Sequence, residues 1–100
     1  MAAQLTVVYW RDIPAQVIVR AGRRTARREL AQRFQEAIDR AAMRSGARDS
    51  DAYLAEWRRG KPAACGDDIE AEADAAAARL EGEYDEERIA ILVAAGGRAG

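Results

Sequence analysis

The sequence predicts one small α+β domain, with strands and helices in the order β-β-α-β-α. Its length of 100 residues is that of a single domain. The N-terminal quarter contains two runs of β-branched and aromatic residues separated by a proline, which is typical of strands. Two later segments repeat their apolar residues at the spacing of a helix.

The first two strands are predicted at residues 5–10 and 16–20. The connection at residues 11–15 is short and contains Pro14, which favours an antiparallel hairpin. Neither face of the first strand is clearly polar, so we expect this strand to be central in the sheet.

The first helix is predicted to follow a loop at residues 21–24, with Thr25 as its N-cap. Gly46 is expected to end this helix in a left-handed conformation. One helical stripe contains the apolar residues Leu30, Phe34, Ala37, Ile38 and Ala41.

A third strand is predicted at residues 52–59, before the break at residues 60–62. A short helix is the alternative there, because alanine, leucine and glutamate favour helices. The second helix is predicted from an N-cap at Asp67, with Glu70 completing a capping box. A helix restarts near residue 83, although residues 89–93 also fit a terminal strand.

A right-handed crossover from the second strand would place the third strand beside the first. The predicted sheet is therefore three-stranded and antiparallel, in the order 2-1-3. Both helices would bury their apolar stripes on one face of this sheet. The expected architecture is a ferredoxin-like or related sandwich.

Composition limits the function. Of the 49 hydrophobic residues, 24 are alanine, and no apolar run approaches the roughly 20 residues of a membrane span. The N-terminus has no signal-peptide pattern, and the single cysteine, Cys65, fits a reducing compartment. The chain has no histidine for catalysis or for zinc. We expect a soluble cytoplasmic domain that is not an enzyme and has no cofactor or metal.

The charge is divided between the two parts of the chain. Residues 1–62 carry 13 basic and 7 acidic side chains, whereas residues 63–100 carry 3 basic and 10 acidic ones. The two parts either neutralise each other, within the fold or across a homodimer, or present two charged faces to different partners.

An arginine cluster near the start of the first predicted helix is a candidate site for a partner or an anion. An acidic protein, a phosphate ligand or a nucleic acid would suit it. Solvent exposure, or pairing with the acidic residues 67–72, is the competing interpretation. The cluster consists of Arg20, Arg23, Arg24, Arg27 and Arg28.

Two tryptophans stand beside arginines, as Trp10-Arg11 and Trp57-Arg58. If both project from the open face of the sheet, they form an aromatic–arginine patch with the composition of an interface hot spot. The alternative is that both are core residues. Cys65 is interpreted as an ordinary loop cysteine because no second cysteine or histidine is present.

Four segments resemble a small bacterial domain family labelled virulence factor, which is also a module of conserved virulence factor C type proteins. They are YWRDIPAQV at residues 9–17, GRR at 22–24, RFQEAID at 33–39 and DAYLAEW at 51–57. The label comes from a phenotype and implies no reaction or catalytic residues. Stand-alone members tend to be encoded beside genes for folate- and corrinoid-linked methyl transfer, which implies an accessory role in one-carbon metabolism.

The expected function is therefore a non-catalytic accessory or interaction domain that binds a protein partner or a second copy of itself. An anion-binding module for nucleic acid or a phosphorylated ligand is the alternative. Salt dependence distinguishes them, because binding to a phosphate backbone weakens steeply as salt rises.

Overall fold

The computed structural model describes residues 3–47 and 49–99. Within these ranges five strands form one sheet, and four helices pack around it. The strands are β1 (Ala3–Trp10), β2 (Ile13–Ala21), β3 (Arg24–Glu29), β4 (Trp57–Arg59) and β5 (Ala63–Cys65). The helices are α1 (Gln32–Ser45), α2 (Ser50–Ala55), α3 (Ile69–Glu83) and α4 (Glu86–Ala94).

The sheet is antiparallel and has β1 near its centre. β2 pairs with one edge of β1, while β4 and β5 pair with the two ends of its other edge. β3 lies outside β2, so the strand order is β3-β2-β1-β4. The antiparallel hairpin and the central first strand are confirmed, but the three-stranded sheet is wrong.

The extra strand β3 replaces the predicted start of the first helix. Thr25 is not an N-cap, because it lies in β3 opposite Arg20 of β2. Val17 and Val19 are fully buried, while Ile18 between them is 4% exposed on the other face. A strand of this kind belongs inside a sheet, and the charged β3 suits an exposed edge.

Helix α1 begins at Gln32, seven residues beyond the predicted cap, and its N-cap residue Ala31 makes no side-chain capping bond. Its inner face buries Phe34, Ala37, Ile38 and Ala41 of the predicted stripe, whereas Leu30 is buried ahead of the helix. The predicted end is confirmed, because Gly46 adopts a left-handed conformation with a φ of 80°.

The predicted strand at residues 52–59 divides into a helix and a strand. Asp49 caps α2 by accepting a hydrogen bond from the amide of Ala52. Only Trp57–Arg59 pairs with β1, as β4. Local helix propensity therefore prevails before Glu56, and pairing with the open edge of β1 prevails after it.

The hairpin turn is shorter than predicted, because Arg11 and Asp12 alone connect β1 and β2. Arg11 adopts a positive φ of 53°, which is uncommon for a residue other than glycine. The register of the pair shifts where Pro14 lies opposite Tyr9. A bulge of this kind accommodates a proline, which cannot donate a ladder hydrogen bond.

The two C-terminal helices confirm the predicted restart. Asp68 caps α3 by accepting from the amide of Ala71, one residue after the predicted Asp67. Ile89 and Leu92 are buried in α4, so a helix and not a terminal strand occupies residues 89–93.

The helices cover the two faces of the sheet unequally. α3 packs across β2 and β3 on the face that carries Val17 and Val19. On the opposite face, helices cover only the end nearest Trp10, where Tyr53 of α2 stacks on the indole and the start of α1 lies beside Gln16 and Trp57. The remainder of that face has no helix over it among the described residues.

Candidate functional site

The uncovered face of the sheet presents three exposed arginines, one from each of three strands. Alternation along the strands places Arg20, Arg27 and Arg59 on this face together with Val8 and Ile18. Arg27 lies directly opposite Ile18, and Arg59 lies opposite Val8. These three side chains are named here the arginine face.

Two members of the arginine face, Arg20 and Arg59, line a shallow depression of about 310 Å³. Thr6 and Ile18 line this depression together with Arg20 and Arg59. Ile18 is only 4% exposed, so the surface is polar and basic rather than apolar. None of the three arginines forms a salt bridge with a carboxylate of residues 3–47 or 49–99.

The predicted arginine cluster is divided by the sheet. Arg28 points to the helix-covered face, where it forms salt bridges with Glu70 and Asp74 of α3. Arg23 and Arg24 are exposed at the β2–β3 turn. The cluster does not flank a helix N-terminus, so the predicted combination of free helix amides and guanidinium groups is wrong. Internal pairing, the competing interpretation, applies to Arg28.

The predicted patch of exposed tryptophans does not form. Trp10 is fully buried, and its indole Nε1 donates to the carbonyl of Tyr53 at 2.9 Å. Trp57 is half-buried, with its ring 5.9 Å from that of Tyr53. Alternation does place Trp10 on the face of Thr6 and Val8, but α2 covers that end.

The two arginines beside the tryptophans hold the hairpin turn. Arg11 donates through Nη1 to the carbonyl of Gly96 at 2.8 Å, and its Nε lies 3.3 Å from a carboxylate oxygen of Glu56. Arg58 donates through Nη2 to Asp12 at 3.0 Å. These contacts tie the β1–β2 turn to the C-terminal turn and to the start of β4.

A second concave surface lies on the other side of β4. It has a volume of about 330 Å³ and combines two tyrosines with three cationic side chains. Asp12 lies at its edge, bound to Arg58. The residues that define this tyrosine–arginine pocket are Tyr9, Arg58, Lys61, Tyr84 and Arg88.

Each tyrosine ring of the pocket makes a cation–π contact with an arginine guanidinium group. The Cζ atom of Arg58 lies 4.5 Å from the ring centre of Tyr9, and that of Arg88 lies 3.9 Å from the ring centre of Tyr84. Burial raises the pKa of the Tyr84 phenol above its ordinary value. Tyr84 is therefore a hydrogen-bond donor at neutral pH.

The family model described as virulence factor matches residues 8–93. The chain belongs to the virulence factor family. This match confirms the resemblance stated from the sequence, and it includes the arginine face and the pocket-defining residues. No curated protein and no solved structure matches the chain.

Other candidate groups of this virulence factor domain lack a reactive arrangement. Cys65 lies in β5 rather than in a loop, and burial together with Glu72 and Asp67 raises the pKa of its thiol. Its neutral form is therefore favoured, which disfavours nucleophilic use. Within the described ranges no group of three or more cysteine or carboxylate side chains is placed to hold a metal ion. None of the described helices has the length and apolar character needed to cross a bilayer.

Sequence reasoning did not identify the tyrosine–arginine pocket. Its members come from β1, β4, the following loop and the α3–α4 junction. Lys61, Tyr84 and Arg88 form no motif with Tyr9, because more than 50 residues separate the two ends of the set. The pairing of β1 with β4 places Tyr9 beside Arg58, and the tertiary fold brings Tyr84 and Arg88, at the end of α3 and the start of α4, to the same surface.

Asp12 gives the virulence factor domain a testable pH dependence. The amide of Ala99 donates to its carboxylate at 2.7 Å, and this bond, followed by Arg58, holds the pKa of Asp12 below its ordinary value of 3.8. The ionised form therefore stabilises the fold above that value, and this contribution is lost as the pH falls through the lower, native-state pKa.

We expect Asp12→Asn to lower the free energy of unfolding at pH 7 by at most about 1 kcal/mol, because the carboxylate is partly exposed. Urea unfolding of both proteins across the acid range measures this difference. The two curves should converge as the pH falls below 3.8. A constant offset between them at all pH values would contradict the assigned role of the ionised carboxylate.

Proposed function

We propose that this virulence factor domain is a non-catalytic interaction module that binds an acidic protein partner through its arginine face. The observation that carries this proposal is the set of three exposed arginines without salt-bridge partners in the described chain, on the part of the sheet that no described helix covers. An exposed surface with an excess of one charge steers an oppositely charged partner and favours its association.

An acidic protein suits this surface better than a nucleic acid does. Glu29 lies on the same face as Arg27, opposite Gln16, and would repel a phosphate backbone. The half-buried ring of Trp57 lies beside Gln16 and Glu29 of this face, so a base that stacked on it would bring its phosphate near the Glu29 carboxylate. A protein partner can place a basic group against Glu29 and carboxylates against the arginines.

The family resemblance adds a class of partner. Genes for folate- and corrinoid-linked methyl transfer beside stand-alone members support an accessory role with proteins of that process. The domain would act there by docking, and the partner would supply the chemistry.

A charge-matched pair of variants tests the arginine face. A pull-down from the native host at about 50 and 200 mM salt identifies the partner, which is then purified for calorimetry. The triple variant Arg20→Gln, Arg27→Gln, Arg59→Gln should bind it about 10–100-fold more weakly, if each charge contributes about 0.5–1 kcal/mol. The control removes the same charge from the helices, as Arg40→Gln, Arg44→Gln and Arg79→Gln.

The control variant should retain the affinity of the original domain. Equal losses in both triple variants would show a general charge effect and refute the assigned surface. Steeply salt-dependent binding of a labelled DNA or RNA duplex, lost only in the arginine-face variant, would replace the protein partner by a nucleic acid. Self-association lost in that variant would make the partner a second copy of this chain.

A further inference from the structure

The tyrosine–arginine pocket is a separate feature that the proposed function does not use. Arg58 and Arg59 are consecutive in β4, so their side chains point to opposite faces of the sheet. Arg59 belongs to the arginine face, while Arg58 lies in the pocket with Tyr9. A ligand of the pocket would therefore not compete with a partner on the arginine face.

The charges in the pocket are not balanced. Arg58, Lys61 and Arg88 contribute three positive charges, and Asp12 contributes one negative charge. Asp12 is bound to Arg58 at 3.0 Å. Lys61 and Arg88 form no salt bridge within residues 3–47 and 49–99. The lining therefore has two excess positive charges, which a dianion would neutralise.

Two of the donors, Arg58 and Arg88, are held in position by the fold before any ligand binds. Arg58 donates through Nε to the carbonyl of Arg11 at 2.8 Å and packs on the Tyr9 ring. Arg88 donates through Nη1 to the carbonyl of Glu83 at 3.3 Å and packs on the Tyr84 ring. Preorganised donors reduce the entropy lost when a ligand binds.

We propose that the tyrosine–arginine pocket binds a small organic phosphate, with the phosphate between Lys61 and Arg88 and the phenols of Tyr9 and Tyr84 as further donors. A phosphate monoester carries a charge of about −1.5 to −2 at neutral pH and three acceptor oxygens. The charge of the phosphate matches the excess positive charge of the pocket. Its three oxygens can accept hydrogen bonds from donors on several segments of the chain. A carboxylate carries only one charge and two oxygens in one plane.

The volume of the pocket leaves room for an organic group beside the phosphate. About 330 Å³ lies at the lower end of the range for small-molecule sites, which is roughly 300–1,000 Å³. Leu92, which is 4% exposed, adds a small apolar area to the lining. The organic part of the ligand would lie against Leu92 while the phosphate lies at the cationic side.

Titration of the ¹⁵N-labelled domain with phenyl phosphate, followed by NMR, tests this proposal. We expect saturable shifts at the amides of Lys61, Tyr84 and Arg88, with weaker binding of inorganic phosphate and of benzoate. Lys61→Gln and Arg88→Gln should each weaken the binding of phenyl phosphate about tenfold, and Tyr84→Phe should weaken it less. Arg40→Gln is the matched control and should bind as the original domain does.

Three results would overturn the proposal. They are an absence of saturable pocket shifts, equal affinity for benzoate and phenyl phosphate, and equal weakening in Arg40→Gln and Arg88→Gln. The dispersion of each ¹⁵N spectrum shows whether the variant is folded. The triple arginine-face variant should keep its affinity for phenyl phosphate, so failure of this proposal is distinguishable from failure of the proposed function.

Discussion

Replacing Trp10 with alanine is expected to lower the free energy of unfolding by about 3–5 kcal/mol. Trp10 is the largest fully buried side chain, and its indole packs on Tyr53 at a centroid distance of 5.8 Å. The substitution leaves a cavity at the sheet end and removes the donor to the carbonyl of Tyr53. Since small domains are stable by about 5–15 kcal/mol, much of the total would be lost.

Urea unfolding followed by far-ultraviolet circular dichroism measures this loss without relying on the indole signal. Trp57→Ala is the comparison, because Trp57 contacts the same tyrosine but is only half-buried. Trp57→Ala should lower the free energy of unfolding clearly less than Trp10→Ala does. A decrease in the free energy of unfolding below about 1 kcal/mol for Trp10→Ala would contradict the burial of Trp10 and indicate a surface residue.

Replacing Gly97 with alanine is expected to lower the free energy of unfolding by about 2–4 kcal/mol. Gly97 has a φ of 93°, and a Cβ atom there would lie 3.0 Å from Cζ3 of Trp10 and 3.4 Å from Cδ of Arg11. Its carbonyl also accepts the amide of Asp12 at 2.8 Å. The substitution would therefore strain the backbone and displace the C-terminal turn from the hairpin.

Gly82→Ala is the matched control for Gly97→Ala. Gly82 lies inside α3, and a Cβ atom there would contact nothing within 4 Å. Alanine should stabilise this helix by about 0.5–1 kcal/mol. The two glycine variants should thus shift the midpoint of thermal unfolding in opposite directions. An upward shift in both would show that the C-terminal turn tolerates a side chain.

The candidate surface could be predicted only in part. Strand alternation groups Val8 with Thr6 and Trp10, but the register that puts Arg20 of β2 on the same face is known only from the structure. The environment of Trp10 on that same face could not be predicted, since it depends on α2 returning to cover the sheet end. The separation of Arg27 from Arg28 follows from alternation once β3 is a strand, but both residues fall in the predicted first helix.

The sequence determined the elements that local chemistry controls. The β-branched runs of β1 and β2, the apolar stripe of α1 and the left-handed glycine at Gly46 all act through neighbouring residues. The composition limited the available catalytic groups, and the run at residues 9–17 carried the family membership.

Strand pairing, salt bridges and burial that involve residues far apart in the sequence are visible only in the tertiary structure. Arg24–Glu29 has no strand signal of its own, but the exposed edge of β2 supplies backbone partners that a helix start would leave unused. Glu70 and Asp74 of α3 form salt bridges with Arg28. Tyr53 of α2 stacks on Trp10 and helps to bury it. Tyr9 meets Arg58 through the pairing of β1 with β4, and Tyr84 joins them at the end of α3. Pairing and burial across such separations are set by packing, and residue spacing along the chain does not encode them.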